Sequence, residues 1–290
     1  MSLIFITLIS LIAFAANSIL CRIAFSQTQI DPASFTLIRI LSGSIVLYYL
    51  SRYQLGTKVS QQTKQISWWP SFYLFTYMIC FSFAYISLSA ATGALILFAA
   101  VQLTILIKAY VAGTRYSIIQ LSGVVVAFAG LVYLVFPELS KPSLFHAGLM
   151  ILAGCAWGAY TLAGNNTKAS CSSLTFSWIN FYRASVIAIP STGLFISTLQ
   201  FDLSGAFYAI LSGALASGIG YALWYSVLPK LKSIVSASIQ LTVPVITAVL
   251  AIWLLAEPID KRLILSAFAI LGGVGISLYA KSRKLTGINN

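Results

Sequence analysis

Acidic residues are almost missing from this chain. Asp and Glu together number 5 in 290 residues, against 17 Lys and Arg, and charged residues of both signs make up only 8%. A soluble domain carries roughly 25% charged residues, so the scarcity excludes an ordinary soluble fold. With 59% hydrophobic residues and a mean hydropathy of +0.94, the sequence reads as an all-α integral membrane protein. A spanning helix takes about 20 mostly apolar residues, and such runs fill nearly the whole chain. The four cysteines (Cys21, Cys80, Cys155 and Cys171) form no CxxC pair and lie mostly in apolar runs. They are expected to be small packing residues, not a disulfide or metal site. There is no HExxH, no catalytic dyad inside a span, no glycine-rich phosphate loop and no metal-ligand cluster, so neither an enzyme nor a cofactor or metal is expected. The glycine-rich runs GALASGIG and GGVG suit close helix packing instead.

What is there begins with a formal net charge of +12. A basic chain of this kind can bind nucleic acid, but its lysines and arginines do not cluster on a soluble face, so no nucleic-acid partner is expected. Ten spans are predicted, at 3–25, 32–51, 68–88, 91–111, 117–136, 145–165, 174–198, 205–226, 233–255 and 262–281. The N-terminal MSLIFITLIS lacks the basic n-region of a cleaved signal peptide and is read as the start of the first span. With the N-terminus inside, the inner loops and tail hold Arg52, Lys58, Lys64, Arg115, Lys168, Lys230, Lys232, Lys281, Arg283 and Lys284. The outer set is Arg22, Lys141, Lys261 and Arg262, and all five acids also fall outside or at outer helix ends. Ten basic residues against four put both termini in the cytoplasm.

The stretch Ser217 to Glu257 reads as two apolar helices joined by a basic turn, Pro229-Lys230-Leu231-Lys232, with a weaker copy around Tyr85 to Arg115. Gln102 aligns with Pro244, Arg115 with Glu257, and Ala15-Ala16 with Trp157-Gly158, all 142 residues apart. Arg39 aligns with Arg183 at 144 and Gly130 with Gly273 at 143. Matching offsets along both halves indicate a duplication. Five spans per half is an odd number, so the copies point in opposite directions: a first repeat over 1–136, an inverted second over 145–281, and a cytoplasmic tail over 282–290. Inverted repeats with a midplane site are the usual architecture of secondary transporters.

The segments GYALWYSVLPKLKS, QLTVPVITAVLAIWLLAEP, LILSAFAILGGVGISLY, TGALILFAAVQLTILIKAY and LSGVVVAFAGLVYLVF resemble, in order and spacing, the EamA-type ten-helix branch of the drug/metabolite transporter superfamily. The resemblance covers nearly the whole chain. It implies inverted five-helix halves and a central cavity lined by helices 1, 3, 4, 6, 8 and 9. Known members move amino acids, nucleobases and other small metabolites, commonly outward. Two positions depart from the pattern: Gln102 stands where proline is usual and Arg115 where glutamate is usual, whereas the second half keeps Pro244 and Glu257. The halves are therefore not expected to be mechanically equivalent.

Within the helices that the resemblance assigns to the cavity, aromatic and uncharged polar residues are the candidate ligands. Tyr77, Phe81, Phe98, Trp157, Tyr160, Tyr221, Trp224 and Tyr225 supply rings, and Trp157 sits about twelve residues into helix 6, far from the interfacial belt that tryptophan favours. Its two readings are a stacking wall for a flat or apolar substrate and packing against Gly154 and Gly158. Asn17, Ser18, Gln102, Thr104, Gln240 and Thr242 are mid-span polar residues that need a partner, a wet cavity or a substrate. Gln240 lies one turn before Pro244, whose missing N–H frees the carbonyl at 240 and makes a hinge or binding break. The substrate-binding set is thus Asn17, Ser18, Tyr77, Phe98, Gln102, Trp157, Tyr160, Tyr221, Trp224, Gln240 and Pro244. Asn180 is assigned to packing.

Arg39 and Arg183 lie about 12 Å deep at 1.5 Å per residue. A charge there costs several kcal/mol unless paired or hydrated. An anion site for a carboxylate is one reading. Because helices 2 and 7 lie outside the expected cavity set, the preferred one is a structural arginine bonded to backbone carbonyls or lipid phosphate. No Asp or Glu lies inside a span, and the one histidine, His146, sits at a helix end. That disfavours proton coupling and organic cations and leaves facilitated or exchange transport of zwitterionic or neutral solutes. The expectation is a metabolite exporter of the bacterial inner membrane, monomeric or weakly dimeric, whose partners are a small-molecule substrate and membrane lipid. A non-transporting scaffold and a passive pore are the alternatives.

Overall fold

A computed structural model describes residues 3–55, 66–113, 117–135, 143–166, 171–231 and 239–286. Among these, every regular element is helical: α1 (Leu3–Gln27), α2 (Pro32–Leu55), α3 (Trp69–Ala84), α4 (Ala90–Val111), α5 (Ile118–Val135), α6 (Ser143–Asn166), α7 (Ser173–Thr192), α8 (Leu203–Val227), α9 (Val243–Leu255) and α10 (Lys261–Thr286). Among the described residues, six helical stretches are long and apolar enough to cross a membrane: Leu3–Gln27, Pro32–Gln54, Ala90–Val111, Leu144–Gly164, Ser173–Thr198 and Leu203–Val227. The chain is an all-helical integral membrane protein.

Local chemistry sets most boundaries. Ser89, Ser172 and Asp202 cap α4, α7 and α8 by accepting hydrogen bonds from the N–H groups of Thr92, Thr175 and Gly205, donors that a helix start otherwise leaves unpaired. Pro190 lies inside α7 near its end, and the chain tightens into a 3-10 turn over Gly193–Thr198. The span expected over 174–198 is therefore α-helical only to 192. The third span also ends early, at Ala84, because residues 85–88 turn into the Ser89 cap. A further correction concerns 233–255, expected as one helix with a proline break. A turn at 241–242 interrupts it, and α9 begins afresh with Pro244 in its first turn, where the missing N–H costs nothing. Residues 233–238, and Arg115, lie outside the described residues.

Nine helix pairs carry most of the packing: α1 with α8 and α9, α2 with α7 and α8, α3 with α6 and α7, α4 with α6 and α9, and α5 with α10. Exchanging each helix with the one five places along the chain maps this set onto itself; α3–α6, for example, becomes α8–α1. Close backbone approach holds two of these pairs. A Cβ at Gly123 would lie 2.5 Å from the Gly273 carbonyl oxygen, and one at Gly273 would lie 2.5 Å from that of Gly123. This is small-residue packing of the kind that drives helix association in lipid. Gly213 on α8 likewise presses on the Arg39 carbonyl and the Ser42 hydroxyl of α2.

Gly273→Ala is expected to lower stability by about 2 kcal/mol, because its methyl meets backbone that cannot yield. Gly272→Ala, whose new Cβ has nothing within 4 Å, is expected to gain up to about 1 kcal/mol from helix propensity. Thermal unfolding of the purified variants in detergent checks the pair, and equal effects at the two neighbours would contradict the packing.

Candidate functional site

Five helices bring their aromatic residues to one point. Phe14 of α1 meets Trp157 of α6 and Tyr221 and Trp224 of α8 edge-on, with ring centroids 5.9, 5.7 and 5.6 Å apart. Trp157 also touches Tyr221 at 4.7 Å, Tyr77 of α3 at 5.0 Å and Tyr160 at 5.5 Å. Tyr77 and Phe81 pack at 5.4 Å. Each such pair adds about 0.5–1.5 kcal/mol to simple burial, so the contacts hold the rings together as a cage. Inside it lies a closed cavity lined by Phe14, Asn17, Tyr77, Phe81, Leu97, Phe98, Trp157 and Tyr221. It has room for about one water molecule, too little for a metabolite in this conformation.

A polar network adjoins the cage. The Asn17 Oδ1 accepts hydrogen bonds from the hydroxyls of Ser212 (2.8 Å) and Ser217 (3.0 Å). These serines are five residues apart, which in an α-helix would put them about 140° apart. The segment Leu211–Ile219 is instead a π-helix, whose i→i+5 hydrogen bonding brings such residues onto one face. Ser217 in turn accepts from Arg39 Nε (3.2 Å) and Nη2 (3.1 Å), and Arg39 Nη2 donates to the Tyr77 hydroxyl (3.0 Å). The Tyr221 hydroxyl closes the circuit by donating to Tyr77 at 3.2 Å. The Arg39 guanidinium lies 4.8 Å from the Phe81 ring centroid and 5.4 Å from that of Tyr77, two rings that line the cavity.

Of the candidates named from sequence, Asn17, Tyr77, Phe98, Trp157 and Tyr221 line the cavity together, and Tyr160 and Trp224 back its wall. Ser18, Gln102 and Gln240 are buried but are not among the lining residues. Pro244 sits elsewhere, in an apolar groove of about 470 Å³ between α4, α9 and α10 that also includes Leu95, Leu263 and Phe268. Asn180 bridges helices: its side chain accepts from Ser71 at 2.7 Å and donates to the Phe176 carbonyl at 2.7 Å. Arg183 donates to the carbonyls of Ile66 (2.7 Å) and Ser67 (3.0 Å) and covers the Trp68 ring, the structural role expected of it. Arg39 departs from that expectation, since it donates to the side-chain hydroxyls of Ser217 and Tyr77 beside the cavity. Its depth was the available signal, but nothing local indicates which helix it faces.

A second cluster ties the end of α1 to α4 and α9. Glu257 accepts from the Ala90 N–H with both oxygens (3.1 and 2.9 Å) and pairs with Arg22 Nε at 3.3 Å. Arg22 Nη1 also donates to the carbonyls of Tyr85 (3.1 Å) and Ile86 (3.2 Å). A carboxylate on the first N–H of α4 also complements the helix dipole. This is the one ion pair among the described residues.

Helices meeting around a closed central cage, with a charged clamp near one end, are an arrangement that a membrane transporter can use. The EamA-like transporter family model matches residues 144–279, and the chain belongs to that family. An uncharacterised protein of Pseudomonas aeruginosa is 42% identical over 273 residues, covering 94% of this chain and 93% of its own. A protein of Escherichia coli strain K12 named "Probable amino-acid metabolite efflux pump" is 25% identical over 223 residues, covering 72% of this chain and 73% of its own. A solved crystal structure, 19% identical, shares the fold with a TM-score of 0.67 over 95% of this chain and 98% of that one.

Proposed function

We propose that this membrane transporter exports small metabolites, amino acids or similarly zwitterionic or neutral solutes, by alternating access across a bacterial inner membrane. In this reading ten spans form two inverted five-helix halves, over 1–136 and 145–281, with both termini cytoplasmic. The observation that carries it is the closed aromatic cage, to which α1, α3 and α4 of one half and α6 and α8 of the other all contribute. The helix pairing, unchanged when the halves are exchanged, supports the duplication, and alternating access needs two such half-sites around one cavity. A sealed cage argues against a standing pore. The solute class draws on the name of the Escherichia coli relative and on the absence of an acid among the cavity-lining residues. That absence favours facilitated or exchange transport over proton coupling.

Counterflow in proteoliposomes, with a mixed amino-acid and nucleobase pool, tests the reading. Saturable exchange that is lost in Trp157→Ala is expected. Flux that never saturates would mark a pore, and no exchange of any pool member would favour a scaffold.

A further inference from the structure

Arg39 is fully buried, and its positive charge has no negative partner among the described residues. The sequence holds five acids. Asp31 caps α2 through the N–H groups of Ala33 and Ser34 and also accepts from Gln200. Asp202 caps α8, Glu257 pairs with Arg22, and Asp260 binds the Arg262 N–H. The fifth, Glu138, lies outside the described residues. The polar groups around the guanidinium are the phenols of Tyr77 and Tyr221 and the thiol of Cys21, and none is a carboxylate. Arginine does not shed its proton, so the interior holds a full positive charge that, among the described residues, hydroxyl dipoles and aromatic faces oppose.

Three of the unsatisfied polar atoms around the cage share one character; the Tyr160 hydroxyl, which can also accept, is a fourth. Arg39 Nη1 and Asn17 Nδ2 are buried without an acceptor among the described residues, and so is the Trp224 indole N–H behind the cage wall. All three are donors. Buried donors cost free energy until an acceptor arrives, and a water in the small cavity would supply an acceptor but no charge.

We propose that Arg39 is the anion-binding subsite of the central cavity and that the transported solute presents a carboxylate to it. The inference rests on the carrier reading above and narrows its substrate class from neutral or zwitterionic solutes to those with a carboxylate. A guanidinium N–H gives a carboxylate a charge-assisted hydrogen bond, and its planar set of donors can hold protein groups on one side and a ligand on the other. Ser217 and Tyr77 hold that fork on its Nε and Nη2 side, which leaves Nη1 for the ligand. The Asn17 amide, linked to Arg39 through Ser217, is a neutral donor in the same network. The rest of the solute would meet the rings of Phe14, Phe98 and Trp157. An ammonium group, where present, would meet aromatic faces, because no lining residue is acidic.

The test reads binding by purified protein in detergent, through the thermal midpoint and tryptophan fluorescence. The probes are a pool of neutral L-amino acids, the same pool as primary amides, and sodium acetate against sodium chloride at equal ionic strength. The amino-acid pool is expected to raise the wild-type midpoint by about 3–6 °C, the size of shift that saturating ligand produces. The amide pool is expected to raise it by less than a third of that, and acetate is expected to exceed chloride. Arg39→Met abolishes the shift, and Arg39→Lys keeps the charge but weakens apparent affinity roughly tenfold, since one ammonium cannot hold Ser217 and Tyr77 and also reach the ligand as the guanidinium does. Without ligand, Arg39→Met is expected to melt no lower than wild type, because it removes an uncompensated charge. A purely structural arginine would give the opposite sign.

Equal stabilisation by amides and acids, retention of the shift in Arg39→Met, or no stabilisation by any carboxylate overturns the proposal. A chloride effect as large as that of the carboxylates assigns Arg39 an inorganic counter-ion and overturns it too. Because the readout is binding, failure of the carrier reading is separable. Arg39-dependent carboxylate binding without counterflow retains the subsite and loses transport. Saturable counterflow that Arg39→Met leaves intact does the reverse.

Discussion

Glu257→Ala is expected to raise the alkylation rate of Cys21 by a maleimide about 30-fold, measured with Cys80, Cys155 and Cys171 replaced by serine. Cys21 is fully buried on α1, beside Arg22. Access to it requires α1 to part from its neighbours, and the Glu257 clamp opposes that movement. The carboxylate accepts from Ala90 and Arg22, and Arg22 reaches on to two carbonyls of the α3–α4 turn. Charge-assisted hydrogen bonds contribute about 1.5–3 kcal/mol each when buried. These side chains are 24% and 14% exposed, so about 2 kcal/mol for the whole clamp allows for solvent screening. A shift of that size multiplies an open population by about 30. Glu257→Gln keeps an acceptor for Ala90 and loses the ion pair, so its effect is expected near fivefold. Unchanged alkylation in Glu257→Ala would mean that the clamp does not gate this face.

Replacing the central tryptophan is expected to have a larger effect on transport. Trp157→Ala removes a ring that touches Phe14, Tyr77, Tyr160 and Tyr221 at 4.7–5.9 Å and leaves a void in the cage. Burying a tryptophan and then deleting it costs about 3–5 kcal/mol in a packed core. Counterflow below saturation is expected to fall at least 30-fold. Trp157→Phe keeps a ring in place and is expected to retain most activity. Trp253→Ala provides the control, since that ring is 83% exposed and its loss is expected to leave exchange unchanged. Equal losses at 157 and 253 would show a general effect of losing tryptophan and would remove the cage from the mechanism.

The membrane class and the position of Trp157 were legible because they rest on composition and distance along the chain. A tryptophan twelve residues into a span has left the interface whatever its neighbours are. Facing direction was harder. In lipid both faces of a helix are apolar, so the polar–apolar periodicity that orients a soluble helix is missing, and residues such as Phe14 and Leu97 carry no mark of pointing inward. Pro244 could not be separated from Gln240 by spacing alone, yet the first lines the lateral groove and the second is buried elsewhere. The π-helix over 211–219 has no sequence signature beyond small residues, and without it Ser212 and Ser217 could not share Asn17. Arg39 was visible as a deep charge. Its partner Ser217 lies 178 positions away, a contact that no local pattern encodes.

Alternating access around the cage is tested most directly by a single cysteine at Phe98, in an otherwise cysteine-free chain, exposed to a membrane-impermeant maleimide from each side of sealed vesicles in turn. Phe98 lines the cavity and is 3% exposed. Slow labelling from either side is expected, with Glu257→Ala accelerating it from the clamp's own face and slowing it from the other. Labelling from one side only, or acceleration from both sides together, would contradict a carrier that opens to one face at a time.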